Sequence, residues 1–432
     1  MQTNSYHFKP LNVRRFLIWS GFALLMIVAP LVFTSSLGRT LLSQMGVAII
    51  VCLSYNMLLG QGGMLSFGHA VHSGLGAFLA IHVLTLVDAG TLHLPVSLIP
   101  LAGGLGGLGF AFVLGWVTTK KAGTTFAMIT LGIGELVAAM SLMLPGIFGG
   151  EGGISGDRVV GAHPLGITFG PQIQLYYLIA IYTFICTGLM FAFTGTPLGR
   201  MLNAVRDNPE RVEFVGYDTQ KVRYFAFLVA GFFAGISGGL SALNYELVTS
   251  EVVNGLHSGA YLLFTFLGGA TFFFGPIIGG ILMVLATVVL SELTRAWLLY
   301  LGLIFLFMVM YAPGGIASLI MMNLRVASFG KLRPLLLHYL ALVATAFIVL
   351  VGASALIEMV YHVQLNSFQG PGVPFMGFTL DSSALTSWMG AVLVLAVGLM
   401  LFEFSRRKFA GKWSAIQEFI EHEIKRREAL SS

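Results

Sequence analysis

The sequence predicts an all-α integral membrane protein. About twelve transmembrane helices are expected, with N- and C-termini cytoplasmic and a broken or re-entrant glycine-rich segment near residues 60–76. Three observations carry that expectation. Only 9% of the 432 residues are charged, 56% are hydrophobic and mean hydropathy is +0.88, whereas a soluble domain carries roughly 25% charged residues. Apolar runs of about 20 residues, the length that crosses the hydrocarbon core, recur along the chain. Basic residues collect on alternate sides of these runs, as the positive-inside rule requires.

The runs lie near 16–33, 41–59, 64–87, 95–117, 123–145, 173–194, 224–247, 259–275, 277–294, 296–312, 334–360 and 383–404. The pair around 259–294 is separated by little more than Gly275–Pro276. The first run follows Lys9, Arg14 and Arg15 and has the outline of a signal peptide. Its length, Pro30 and the lack of a clear small-residue cleavage site favour an anchor. With the N-terminus inside, Arg39, Arg158 and Arg295 fall outside and the other 20 of the 23 basic residues fall inside. That distribution assigns the net charge of +5 to membrane topology rather than to a nucleic-acid partner. The two cysteines, Cys52 and Cys186, lie in apolar segments and indicate neither a disulfide framework nor a metal site.

One passage breaks the apolar pattern. In "GTPLGRMLNAVRDNPERVEFVGYDTQKVRYF", residues 195–225, Arg200, Arg206, Asp207, Glu210, Arg211, Glu213, Asp218, Lys221 and Arg223 crowd together on the inner side. Pro197 suits the first turn of a helix through Leu198–Arg206. Asp207 or Asn208 can cap a second short helix with Pro209 in its first turn, and Gly216 can terminate it. Met201, Leu202, Val205, Val212 and Phe214 give the pair an apolar stripe, which makes it a docking surface. The competing reading is a solvated connector.

The loop, with Gly199-Arg200 and the Gly216 closure, resembles the coupling-helix loop of the LivM-like permeases, membrane subunits of ABC importers for branched-chain amino acids and related solutes. Other stretches resemble the same family in order. They are "NMLLGQGGMLSFGHAVHSGLGAF" (56–78), "TLGIGE" (130–135), "EGGISG" (151–156), "LGGATFFFGPIIGG" (267–280) and "APGGI" (312–316). The resemblance covers roughly 40–320. It implies a second related permease subunit forming a heterodimer, two cytoplasmic ATPase subunits and a periplasmic substrate-binding protein. It also implies no cofactor bound by this chain, with ATP and Mg held on partner subunits. The chain has no G-x-x-x-x-G-K-[ST] run, so it is expected not to be an enzyme. The family's usual aromatic residues are replaced by His72 and Ser73, and the threonine of its T-G-G-x-x-G loop by Glu151. These changes alter either the pathway or only local packing.

Within that frame the translocation-pathway candidates are Ser66, His69, His72, Ser73 and Glu135. Glycines 60, 62, 63, 68, 74 and 76 each cost roughly 1 kcal/mol against alanine in a helix interior. They indicate either a broken segment lining a cavity or close helix packing. His69 and His72 share a helical face but have no convincing third ligand, so no metal is expected. Glu135 lies well inside a span, where an acid touches solute, bonds a neighbouring helix or carries protons. Glu151, Asp157, Arg158 and Glu251, in the outer loops 146–172 and 248–258, are the candidates that face a binding protein.

Residues 1–320 are thus expected to form the permease domain, 321–404 an extension with two further spans, and 405–432 a cytoplasmic amphipathic tail. In that tail Trp413, Ile416, Ile420 and Ile424 recur at helical spacing beside basic residues. This suits either membrane lipid or a partner on one side, and a solvated tail on the other. The function expected is an ATP-driven importer permease of the bacterial inner membrane. A proton-coupled secondary transporter using Glu135 is the alternative.

Overall fold

The α-helices and their breaks follow from where glycine, proline and short polar residues interrupt the apolar runs. A computed structural model of the protein describes residues 13–160, 167–365, 370–375 and 377–431. Lys9 of the topology argument and 161–166 of the outer loop lie outside the described residues.

Two compact units divide the chain: Met1–Val289 with Phe305–Ala317, and Leu290–Ile304 with Ser318–Ser432. In the first, α1 (Val13–Val32) is followed by α2 (Ser36–Asn56), which Ser35 starts by accepting the Gly38 N–H. The last residues of α2 widen into a π-helical turn, Met57–Gln61, and the chain is then irregular until α3 (His69–Asp88). Next come α4 (Ile99–Thr118), α5 (Gly123–Met143), the single turn α6 (Pro145–Phe148) and α7 (Gln172–Gly195). The charged passage forms α8 (Pro197–Asp207) and α9 (Pro209–Phe214), and α10 (Thr219–Tyr245) follows. α11 (Gly255–Gly268) leads to α12 (Gly275–Val284), which runs on into a second π-helical stretch, Leu285–Leu290.

Backbone proximity explains many of the glycines. A Cβ at Gly76 would lie 2.5 Å from the Gly235 Cα, and one at Gly107 would lie 2.3 Å from the Gly231 carbonyl oxygen. Thus α3, α4 and α10 meet almost backbone to backbone, as small residues allow in membrane bundles. The break expected over 60–76 is therefore shorter, occupying 57–68. Gly74 and Gly76 belong to a continuous helix and serve packing.

The second unit begins with α13 (Ser291–Leu293), and α14 (Trp297–Tyr311) straddles the division. The unit also holds most of α15 (Gly315–Ser328), α16 (Arg333–Leu365) and α17 (Leu385–Ser431). A hairpin joins the last two, with β3 (Gly372–Phe375) antiparallel to β4 (Phe378–Asp381). The tail is continuous with the final span: α17 is one helix of 47 residues. Its stripe packs inside the unit, where Ile420 is buried with Val326 and Leu335, and Phe409, Trp413, Ile416 and Ile424 close around them.

Among the described residues ten helices are long and apolar enough to cross a membrane, or eleven if Trp297–Tyr311 and Gly315–Ser328 count as one broken span. The all-α membrane fold is as expected, and the count is lower than twelve for a local reason. The apolar run near 259–275 forms only the 14 residues of α11. At 1.5 Å per residue that is about 21 Å, short of a roughly 30 Å core. The helix stops at Gly269, whose φ is +113°. A Cβ at Gly275 would lie 1.9 Å from the Gly269 carbonyl oxygen, so the turn into α12 closes tightly.

Candidate functional site

The charged segment is built from the caps its sequence offers. Thr196 accepts the Gly199 N–H at 3.2 Å and begins α8, and Asn208 accepts the Arg211 N–H at 3.0 Å and begins α9. Gly216 ends α9 with φ +92°. Its N–H reaches the Glu213 carbonyl at 2.8 Å, and the Tyr217 N–H reaches Val212 at 3.2 Å. This is the paired bonding of a glycine C-cap. Asp218 then accepts the Lys221 N–H at 3.1 Å and starts α10. That bond holds its carboxyl below the ordinary 3.8.

The apolar stripe differs from the docking surface expected. Leu202, Val205 and Val212 are buried and Met201 packs against the same core, so four of the five residues root the segment in the bundle. Phe214 points away, 91% exposed, with Val215 and Tyr217 exposed beside it. Gly199 makes the root possible, because a Cβ there would lie 2.3 Å from the Phe193 carbonyl oxygen.

Charge placement also separates the residues. Arg206 turns inward and donates from Nη1 to the Gly60 carbonyl in the π-helical turn, while its Nε pairs with Asp207 at 2.9 Å. A Cβ at Gly63 would lie 2.7 Å from the Arg206 Cγ, and Leu202 sits over Gly62. Glu213 accepts the Thr219 hydroxyl at 2.8 Å. Arg200, Glu210 and Arg211 are exposed. The segment is therefore tied to the break between α2 and α3 through one guanidinium.

At the other end of α3, where Gly156 lies against Ile81 and Leu84, the loops 146–172 and 248–258 join. β1 (Ile154–Ser155) pairs with β2 (Leu247–Val248) in register Ile154↔Val248. Arg158 fastens them. It donates to the carbonyls of Phe169 (2.9 Å), Leu243 (3.3 Å) and Gly170 (3.2 Å), and lies 3.5 Å from Glu246. Glu246, a residue the sequence does not single out, also accepts the Arg158 N–H at 3.0 Å from a left-handed backbone. Asp157 accepts the Val159 N–H at 2.8 Å, and Glu151, Asp157 and Glu251 are exposed.

The pathway candidates divide: Ser66, His69 and His72 cluster around Tyr55, with the two imidazole centroids 5.7 Å apart, whereas Ser73 and Glu135 face elsewhere. His69 is buried with Nε2 2.9 Å from the Ser54 hydroxyl, and His72 packs edge-on against Phe227, with ring centroids 4.9 Å apart. Ser66 is buried and its carbonyl accepts the Tyr55 hydroxyl at 2.8 Å. Ser73 lines a cavity of about 240 Å³ between α2, α3, α10, α11 and α12. Glu135 is exposed on α5 among Leu131, Leu136 and Met140, with a carboxylate oxygen 3.0 Å from where a Cβ on Gly255 would sit. Among the described residues no three His, Cys, Asp or Glu side chains are grouped to hold a metal ion.

The family described as "Branched-chain amino acid transport system / permease component" matches residues 39–313. The chain belongs to this family. It is a permease component and a multi-pass membrane protein. Among the family's curated proteins, it is 25% identical over 328 residues to the high-affinity branched-chain amino acid transport system permease protein LivM of Salmonella typhimurium, covering 71% of this chain and 76% of that one. The LivM protein of Escherichia coli is 25% identical over 289 residues, 62% of this chain and 67% of that one. A probable LivH permease protein of Methanocaldococcus jannaschii is 25% identical over 224 residues, 50% and 68%. No solved structure matches the chain at a significant level. The matched span contains the charged segment, both joined loops and the cavity; α16 and α17 lie beyond it.

Proposed function

We propose that this permease component is one of two related permease subunits of an ATP-driven importer for branched-chain or other small amino acids. Its membrane is the bacterial inner membrane, and both termini and the charged segment face the cytoplasm. ATP hydrolysis takes place on two separate subunits beneath α8 and α9. A periplasmic binding protein delivers solute at the loops carrying Glu151, Asp157 and Glu251.

One observation carries the reading most: a doubly capped helix pair, rooted in the bundle by Leu202, Val205 and Val212, that leaves Phe214 fully in the open. A flexible connector has no need of a fixed root or a projecting aromatic. A lever seated in a soluble motor needs both. Arg206 joins that lever to the break between α2 and α3, so a push on α8 reaches the helices that line the cavity. Glu135 fits the two-subunit arrangement, because a mid-span carboxylate is not left facing lipid. Its face of α5 lies against the second permease subunit or against water in the pathway between them.

The test is hydrolysis by the purified ATPases. With this subunit present, solute-loaded binding protein stimulates their turnover; equal stimulation without it removes the proposal.

A further inference from the structure

The end of α17 lies beyond the span that matches the family, and its apolar stripe is not offered to a membrane. Trp413, Ile416, Ile420 and Ile424 pack with Val326 and Leu335, and the Phe409 ring lies 4.8 Å from that of Tyr339. A helix whose apolar face is already covered does not lie with that face in a leaflet. What this part of α17 leaves outside is its basic residues.

Their depth follows from the helix. Trp388 opens the span, its indole N–H donating to the Ser382 carbonyl at 2.9 Å, and amphipathic aromatics collect at the membrane boundary. From Leu385, about 20 residues at 1.5 Å each cover the roughly 30 Å hydrocarbon core. α17 does not break there, so Arg406, Arg407, Lys408 and Lys412 follow at the opposite headgroups. α16 runs antiparallel beside it, with Gly398 against Ile348 and Tyr339 against Phe409, which puts Arg333 just past the same level.

This collar is unbalanced in charge. Residues 318–357 and 404–417 hold Arg325, Lys331, Arg333 and the four cations of α17, and no acid. Glu403 is the nearest carboxylate, and it is held by Arg406 at 2.7 Å and Arg407 at 2.8 Å. Lys408 and Lys412, one turn apart, are exposed. Lys408 lies over the Phe404 ring at 4.3 Å, and neither lysine has an ion pair among the described residues. At the same level Leu337 and Leu340 on α16 and Phe404 on α17 are also exposed. Bare leucines beside bare lysines suit neither water nor an acidic protein groove. A phospholipid meets both, with acyl chain on the leucines and phosphate on the ammonium groups, as lysine stems lie along apolar surface with the head outside it.

We infer that residues 404–412 with Arg333 form a binding surface for anionic phospholipid of the inner leaflet. A zwitterionic lipid brings its own ammonium into the collar, so a net negative headgroup is preferred. The inference rests on the topology proposed above only for naming the leaflet, and binding is measurable without transport.

The experiment titrates the full-length protein, purified in detergent, with phosphatidylglycerol or phosphatidylcholine of the same acyl chains and counts bound lipids by native mass spectrometry. Phosphatidylglycerol is expected to bind at least tenfold more tightly. A basic residue at an anionic surface strengthens binding about fivefold, so Lys408→Gln with Lys412→Gln is expected to remove at least about tenfold of that preference. Lys408→Arg with Lys412→Arg is expected to keep it. Glu403→Gln, which releases Arg406 and Arg407, is expected to tighten phosphatidylglycerol binding severalfold. Equal binding of the two lipids, or a preference that survives the glutamine pair, overturns the surface. Loss of copurifying subunits from the glutamine pair with lipid preference unchanged makes the collar a protein interface and overturns it as well. A preference for phosphatidylglycerol in a complex that imports nothing keeps the surface and removes only the importer.

Discussion

The charged segment between α7 and α10 and the joined loops at the far end of α3 are built alike and leave opposite surfaces. Each uses one arginine to fasten itself to backbone carbonyls: Arg206 to Gly60, and Arg158 to Phe169, Leu243 and Gly170. Each turns on glycines with positive φ, Gly216 in one and Gly149, Gly150 and Gly153 in the other. What remains outside differs. The first leaves charges of both signs, Arg200, Glu210 and Arg211, exposed together with a bare Phe214. The second leaves the acids Glu151, Asp157 and Glu251. An arginine in a loop of a membrane protein is thus a poor guide to a partner until its carbonyls have been counted.

The largest stability effect should come from Arg158. Removing it strands three carbonyls and breaks the ion pair to Glu246, which keeps only the backbone N–H of residue 158, and hydrogen bonds to a charged group contribute about 1.5–3 kcal/mol. Arg158→Ala is expected to lower stability by about 2–3 kcal/mol, read as a lower Tm of the purified complex. Lysine should rescue little, because it lacks the fork that spans several acceptors. A full rescue would mean that charge alone holds the loops. Arg206→Ala ranks next. It frees the Gly60 carbonyl at a half-exposed site, so about 1–2 kcal/mol is expected. Its sharper mark is functional: ATPase turnover should persist while solute uptake falls. Unchanged uptake would break the comparison, leaving Arg206 as a local staple and nothing more.

Much of this architecture was legible in the sequence, and what was not has physical causes. Pro197, Asn208, Pro209 and Gly216 state the ends of α8 and α9 because caps and terminators act within one turn. The all-α membrane fold follows from hydropathy for the same local reason. The length of α11 does not, since Gly268 and Gly269 end it by a close approach to Gly275 that no hydropathy window registers. Nor does the roll of α8, which turns Leu202 and Arg206 inward and leaves Arg200 outside. Of the serines and histidines in the glycine-rich signature, only Ser73 reaches the cavity. Its other serine and threonine hydroxyls come from Ser237, Ser241 and Thr287, far apart in sequence and without a motif. Glu246 could be noticed only as a lone acid between an apolar helix and a short strand.

Smaller effects sharpen the comparison. Gly216→Val forces a β-branched residue to φ +92°, a strain of about 1–3 kcal/mol, and should loosen the end of α9 without touching the root at Leu202. Trypsin sensitivity at Arg211 and Lys221 would report it; unchanged cleavage would show that the cap is dispensable. Removing Arg200 or Glu210 singly should change ATPase retention by no more than about 1 kcal/mol, the range of exposed pairs. The least effect is from acid. Asp218 caps α10 above the ordinary carboxyl value of 3.8 and loses that role as pH falls through its lowered one. The protection factor of the Lys221 amide should therefore hold at pH 5 and fall only in stronger acid.

If α8 and α9 are a rigid lever for a soluble motor, exchanging residues 197–216 for a Gly/Ser linker of equal length removes it. Solute uptake and ATPase turnover are then measured in proteoliposomes containing the complete importer. The expected protein inserts and folds but does not transport, with hydrolysis uncoupled from solute or the ATPases lost on purification. Normal uptake by that variant would contradict the lever, and with it the assignment of this chain to an ATP-driven machine.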